Sequence, residues 1–293
     1  MRGKRQGAAG MAARIAPEAL AADAAVDLQL HTTHSDGEWM PEQLVDYVAD
    51  AGFALVAITD HDRPDTVAAV QRLGARRDMP VLAATELSAA REGRLLDLLC
   101  YGFDPRRNAL RALAAATRRG QAANIRATHD ALLRDGHRFP DAAAVLPARG
   151  GVPRTLADLL ALLRGHGYAD GAGDALRAAG FRWVTAAPAE VVAAAHRSGA
   201  VCLVAHPGRG DGFVALDAPQ LARLRAAVPV DGLEVDHPSH TPAQVAFFRD
   251  YTASHGLLAS AGSDSHGPES QPPIKYPAAT SRALLARLGI RVA

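Results

Sequence analysis

Lysine is nearly absent from this chain. It occurs only at Lys4 and Lys275, and every other basic residue is arginine. A biased base composition in the coding genome accounts for that. Cysteine is as scarce. Cys100 and Cys202 both sit in apolar runs, "DLLCYGF" and "GAVCLVAH", which excludes a disulfide framework and fits two buried thiols in a reducing cytoplasm. Aromatic residues make up 5% of the chain, so Ala, Leu and Val must fill the core. There is no excess of charge of either sign: 32 basic against 31 acidic residues leave +1. That balance gives no electrostatic basis for stable double-stranded DNA binding or for a membrane-surface protein. No run of ~18 apolar residues is present, so no transmembrane helix is expected. Residues 1–24 lack a sustained apolar stretch followed by a cleavage site. They read as a flexible N-terminal tail rather than a secretion signal.

What is present is a rhythm. From residue 25 short apolar runs alternate with amphipathic stretches. The runs 25–30, 55–59, 81–87, 95–101, 201–205, 232–235 and 258–261 predict strands. The stretches 41–51, 66–73, 188–198, 242–255 and 281–288 predict helices. Pro41 suits a first helical turn, and Gly52 suits the position just past the end. Alternation of this kind implies a parallel sheet, open or closed into a barrel. The rhythm breaks between residues 105 and 183, where only helical patterns occur, at 108–135, 154–164 and 172–179. The expected organisation is a β/α body formed by 25–104 and 184–293, carrying 105–183 as a helical insertion subdomain.

Polar residues cluster where the predicted strands end. The first strand runs into His31, His34 and Asp36 in "LHTTHSDG". "ITDHD" supplies His61, "TELS" supplies Glu86, "AHPGR" supplies His206 and Arg209, and "GSDSHG" supplies Asp264 and His266. Asp97 lies inside an apolar strand, where an unpaired carboxylate is costly and needs a partner. Strand C-termini of a parallel β/α barrel share one face, so these groups are expected to meet. Taken singly, each is more often a turn or a hydrogen-bonded structural residue; their conjunction is not. Imidazole and carboxylate together suit Zn, Mn or Fe, and the set exceeds what one tetrahedral ion uses. Closely spaced ions activate water and clamp phosphoryl oxygens.

The same motifs, in this order, resemble the PHP (polymerase and histidinol phosphatase) family of metal-dependent phosphoesterases. "GGVPRTLADLL" and "DGLEVDHPSHTPAQ" resemble segments of its stand-alone nucleotide phosphatase and exonuclease-like branch. The resemblance implies a distorted (β/α)7 TIM-like barrel with two or three divalent ions (Mn, Zn or Fe). It implies one ion on His31, Glu86 and Asp264, a second sharing Glu86 with His206, and a third on Asp36, His61 and His266. Two positions depart from the family pattern. Gln29 stands where the first strand normally gives histidine, and Asp97 stands at another usual histidine. Asp97 remains a competent oxygen ligand; Gln29 offers only a neutral amide oxygen.

The implied activity is hydrolysis of a phosphomonoester by metal-activated water. The substrate would be a nucleotide, a nucleotide bisphosphate or an oligonucleotide end, bound by a cytoplasmic protein whose oligomeric state the sequence leaves open. His61, Glu86 and Asp264 would carry the chemistry. His237 is a candidate proton donor, and an exposed loop histidine explains it and His240 equally well. Arg154 and Arg209 are the expected phosphate grips, because the guanidinium fork matches phosphate oxygens. Arg154 also follows a "GGVP" loop at a helix start, where backbone amides favour anions. Two other readings stay open. One is an amidohydrolase-type metal hydrolase, disfavoured because neither lysine lies at a strand end to serve as a carbamylated ligand. The other is a catalytically weak metal- or nucleotide-binding protein, for which Gln29 argues.

Overall fold

The computed structural model describes residues 17–210, 212–213 and 215–293. The chain begins with β1 (Ala19–Leu20), β2 (Ala25–Leu30), α1 (Pro41–Asp50), β3 (Leu55–Ile58), α2 (Val67–Arg76), β4 (Val81–Leu82), β5 (Ala84–Leu87), β6 (Ala90–Arg91), β7 (Arg94–Leu95) and β8 (Leu98–Tyr101). Helices α3 (Leu110–Arg134), α4 (Ala142–Val145), α5 (Leu156–Gly165) and α6 (Ala172–Ala178) follow, with no strand between them among the described residues. Alternation resumes with α7 (Pro188–Arg197), β9 (Val201–Val204), α8 (Ala218–Ala227), β10 (Gly232–Asp236), α9 (Pro242–Ser254) and β11 (Leu258–Ala261). The chain closes with β12 (Tyr276–Pro277), α10 (Arg282–Arg287) and β13 (Arg291–Val292).

Local chemistry explains the elements. Helix α1 starts at Pro41 and buries Leu44, Val45 and Val48 on one face, the spacing of an amphipathic helix. Gly52, at φ 76°, lets the chain turn away after it. Helix α9 opens with a capping box: Thr241 Oγ1 accepts from Gln244 N–H, and Gln244 Oε1 accepts from Thr241 N–H.

The fold is mixed α/β. Strands order β11-β10-β9-β8-β5 in one sheet and β12-β2-β3-β4 in another. Isolated bridges at Leu30–Ser265 and His61–Glu86 join them. The central strands are buried on both faces. In β8 and β9, Leu98, Cys100, Cys202 and Val204 join the cluster beneath α7, and Leu99, Tyr101, Val201 and Leu203 join an inner cluster with Leu28 and Ala57. Burial on both sides is why these strands read as continuous apolar runs. Ile125, Leu132, Leu159, Leu163 and Leu176 form a separate cluster among α3, α5 and α6.

Three expectations need correction. Residues 81–87 are not one strand: the chain breaks at Ala83, so that β4 joins one sheet and β5 the other. The sheet is not wholly parallel, since β8 runs antiparallel to both β5 and β9. The reason is the connection. Residues 88–97 are spanned by the small β6–β7 hairpin, and a parallel crossover needs about a dozen residues or more. Finally, the expected tail is partly ordered. Ala19–Leu20 pairs in parallel with Arg291–Val292, and Leu20 is buried; residues 1–16 of that tail lie outside the described residues. No helix among the described residues is long and apolar enough to cross a membrane.

Candidate metal centre

The strand ends are stitched together where the polar residues sit. His31 N–H donates to Ser265 O at 2.9 Å, Asp264 N–H to Gln29 O at 3.0 Å, and Glu86 N–H to Thr59 O at 2.8 Å. The reversal of β8 does not remove Asp97 from this edge. Asp97 lies just before the strand, and its carbonyl accepts from Ala205 N–H at 3.0 Å, beside His206. An antiparallel strand begins where its parallel neighbours end. His206 and Asp264 adopt positive φ, 29° and 54°, a costly backbone for non-glycine residues that is found where a site over-determines it.

Glu86 is the hub and is fully buried. Its Oε2 lies 3.1 Å from His31 Nε2 and 3.8 Å from His61 Nε2, and its Oε1 lies 3.3 Å from His206 Nε2. Asp264 Oδ1 is 3.1 Å from His31 Nε2 and 3.6 Å from His266 Nδ1. Asp36 approaches His31 at 3.7 Å, His61 at 3.8 Å and His266 at 3.4 Å. The rings of His61 and His266 stack on His31, with centroids 4.8 and 4.3 Å away.

Three groups hold ligand atoms within 4.8 Å of one another: His31, Asp36, His61 and His266; His31, Glu86 and Asp264; His61, Glu86 and Asp97. The donor set fits divalent cations. Both ring nitrogens of His31, Glu86 Oε1 and His61 Nδ1 are buried without a hydrogen-bond partner, a burden that native interiors rarely carry.

The electrostatics report the same crowding. Burial opposes a charged His31, yet the Asp264 and Glu86 carboxylates outweigh it and raise its pKa well above the usual value. Burial likewise opposes a charged His61, and Glu86 and Asp36 raise it to about 9. Burial works against ionisation of Glu86, Asp36 and Asp264, but the surrounding imidazoles hold all three below the usual carboxylate range. Asp97 goes the other way, to about 7, through burial and then repulsion by Glu86.

Other sequence-predicted residues fall as follows. Gln29 presents its amide nitrogen, not its oxygen, to the hub: Nε2 donates to Glu86 Oε2 at 3.0 Å. His237 and His240 are buried rather than exposed loop residues. His237 Nε2 lies 3.5 Å from Asp264 Oδ2, and Arg209 Nη1 lies 3.6 Å from the same oxygen. Both line a cavity of about 470 Å³ with Gly208, Ser239, Ser263 and Gln271. Arg154 is exposed and lines no part of that cavity. The amides at its helix start are already taken, since Asp158 Oδ2 accepts from Arg154 N–H and Thr155 N–H. His34 lines a different cavity with Met40, Arg72 and Arg76. Arg63, in the loop after His61, bonds to the His34 carbonyl and Asp65.

Sequence reasoning marked Asp60 as a strand-end carboxylate without giving it a role, and passed over Glu234. Asp60 accepts from Thr32 N–H, Thr32 Oγ1–H and Ser35 Oγ–H, and so holds the loop carrying Asp36. Glu234 is fully buried and accepts from His206 N–H at 2.9 Å. Burial pushes its carboxyl well above the usual range. The signal that singled out Asp97, a carboxylate inside an apolar run, was equally present in "GLEVD".

No family model matches the chain. Curated relatives do. The 5′-3′ exoribonuclease Rnm of Salmonella typhimurium is 30% identical, over 83% of this chain and 85% of its own length. The phosphoribosyl 1,2-cyclic phosphate 1,2-diphosphodiesterase of Eggerthella lenta is 29% identical, over 82% of this chain and 94% of its own. The crystal structure of a metal-dependent phosphoesterase from Bifidobacterium adolescentis superposes with a TM-score of 0.73 at 27% identity, covering 90% of this chain and 96% of that one. The chain belongs to the PHP family of metal-dependent phosphoesterases.

Proposed function

We propose that this protein hydrolyses a phosphomonoester of the nucleotide class: a nucleotide, a nucleotide bisphosphate or the end of an oligonucleotide. The observation that carries the reading is the convergence of His31, His61, His206 and His266 with Asp36, Glu86, Asp97 and Asp264 around one buried carboxylate. His31, Glu86 and Asp264 would hold one divalent ion; Asp36, His61 and His266 another; and Asp97 and His206 flank Glu86 for a further one. Such ions, Mn, Zn or Fe, would lower the pKa of water and offset charge on the phosphoryl oxygens.

The remaining residues divide the work around that centre. Arg209 faces the cavity with its guanidinium 4.5 Å over the Phe213 ring, oriented to grip phosphate oxygens. Ser239 N–H donates to His237 Nδ1 at 3.0 Å. That bond assigns the hydrogen of the neutral ring to Nε2, which lies at the cavity wall 3.5 Å from Asp264 Oδ2. Burial lowers the His237 pKa against the pull of the Asp264 carboxylate and so favours the neutral ring. Its Nε2–H is the hydrogen available to the leaving oxygen.

We read the two sheets as an open, distorted (β/α)7 barrel, with residues 105–183 as an insertion subdomain that walls the cleft. The amidohydrolase reading is disfavoured by lysine geometry as well as sequence. Lys275, the one lysine among the described residues, lies 5.7 Å from the Phe53 ring centroid, beside β12 rather than at a ligand-bearing strand end.

The test is phosphate release from a phosphoester panel by protein purified without chelator and supplied with Mn²⁺. Release should be lost in His61→Ala and Glu86→Ala. Well-metallated protein that hydrolyses no member of the panel, or that prefers amides, would sink the reading.

A further inference from the structure

We propose that His240 and Gln244 are positioning residues for the turn that carries His206 and Arg209, and that they act on the reaction through Arg209. The inference rests on the phosphoesterase reading for its substrate and on geometry for the rest. The turn after β9 closes through Arg209 N–H on the His206 carbonyl at 2.9 Å, and the Pro207 carbonyl accepts from Leu216 N–H at 2.8 Å. The turn passes through His206 at positive φ and then through Gly208, the most permissive residue a backbone can contain. The Gly208 peptide groups are also gripped, from both sides, by side chains of the β10–α9 segment. Gly208 N–H donates to His240 Nε2 at 3.0 Å, and Gln244 Nε2–H donates to the Gly208 carbonyl at 2.9 Å.

Neither grip has freedom to turn over. His240 Nδ1 lies 2.9 Å from the Val235 carbonyl. A carbonyl only accepts, so the ring hydrogen is on Nδ1 and Nε2 is left as the acceptor that Gly208 requires. Gln244 Oε1 is occupied by Thr241 N–H at 2.8 Å in the α9 capping box, which turns its NH₂ towards Gly208. The fit is closed. A side-chain carbon at Gly208 would stand 2.7 Å from His240 Cδ2 and 2.8 Å from Gln244 Nε2.

The next residue is Arg209, whose Nη1 sits 3.6 Å from Asp264 Oδ2. The capping glutamine of one helix and a buried histidine thus aim the arginine that follows a different strand. They touch the peptide, not the substrate. Removing either should change phosphate affinity more than the chemical step.

The experiment compares His240→Leu, Gln244→Glu and His240→Gln with the parent, using adenosine 3′,5′-bisphosphate and Mn²⁺. Circular dichroism and the unfolding midpoint check the fold. His240→Leu deletes the acceptor, Gln244→Glu turns the donor into an acceptor, and His240→Gln keeps an acceptor. KM should rise about tenfold in the first two, with kcat within about threefold, and His240→Gln should recover most of the loss. Arg209→Ala combined with His240→Leu should be no worse than Arg209→Ala alone, because the two act as one unit. Effects that multiply in the double variant, or a fall in kcat at unchanged KM, would overturn the proposal. If the parent turns over no phosphoester, the functional reading fails separately. Titration of inorganic phosphate into Mn²⁺-loaded protein then decides the clamp: weaker binding in His240→Leu and Gln244→Glu supports it, and equal binding overturns it.

Discussion

The Gln29 amide donates a 3.0 Å hydrogen bond to Glu86 Oε2, so the residue that departs from the family pattern supports the hub carboxylate. Gln29→Leu should weaken Mn²⁺ binding and lower turnover by about tenfold, the usual scale for losing a partner of a metal ligand. Gln29→His should bind metal more tightly and still hydrolyse. Metal titration with parallel rates checks both. An inactive Gln29→His protein would mean that the amide is needed as a donor.

Glu86 faces His31, His61 and His206 at once. Glu86→Gln keeps the volume but removes the charge that these imidazoles share. It should lose at least about a hundredfold in activity, with fewer ions bound per chain by elemental analysis. Chelation of the parent should abolish activity, and Mn²⁺ should restore it. Full turnover in chelator would contradict a metal centre.

Asp27 is fully buried and fastens three segments. Its carboxylate accepts N–H bonds from Gln29 at 3.3 Å, Ser263 at 2.9 Å and Ile274 at 2.9 Å. Asp27→Ala strands these donors and should cost about 2–4 kcal/mol in denaturant unfolding. Burial lifts its pKa to about 7, against the hydrogen bonds. The folded state therefore holds a proton that the unfolded chain has released. The group's contribution is fully present below the unfolded value, near 4, and is lost as pH rises through about 7. The stability advantage of the parent over Asp27→Asn should shrink across that window. An advantage that grows with pH would show that the three N–H donors, not burial, control the carboxyl.

Arg118 of α3 ties the helical segment to the centre. Its guanidinium bonds to the Asp62 carbonyl and, at 3.1 Å, to Asp65 Oδ1, in the loop that follows His61. Arg118→Ala should raise KM several-fold with a small change in unfolding midpoint. An unaltered KM would show that this helix does not shape the cleft.

Much of this was legible along the chain. Apolar runs marked the principal strands because the strands are buried on both faces. The ligand-type residues were visible because they lie in or close to the ends of strands, as Glu86 does in β5, Asp97 just before β8 and His31 just after β2. What the sequence concealed were relations that a linear pattern does not encode. An apolar run over 81–87 reads as one strand, although Ala83 divides it between two sheets. Arg154 looked like a phosphate grip at an open helix start, but Asp158, four residues on, already fills it. Glu234 was passed over because its partner is the His206 amide after another strand, and the role of Asp60 was hidden because its partners, Thr32 and Ser35, lie in the loop after β2.

By itself, the sequence determined the β/α order and the kinds of ligand offered, because periodicity and residue chemistry are local properties. The tertiary structure decided which atoms those ligands present. It reversed β8 yet kept Asp97 at the site, because a reversed strand starts at the edge where its neighbours finish. It turned Gln29 into a donor to Glu86, and it closed His240 and Gln244 on Gly208. Distances between groups many residues apart are set by packing and strand pairing, and those come only with the folded chain.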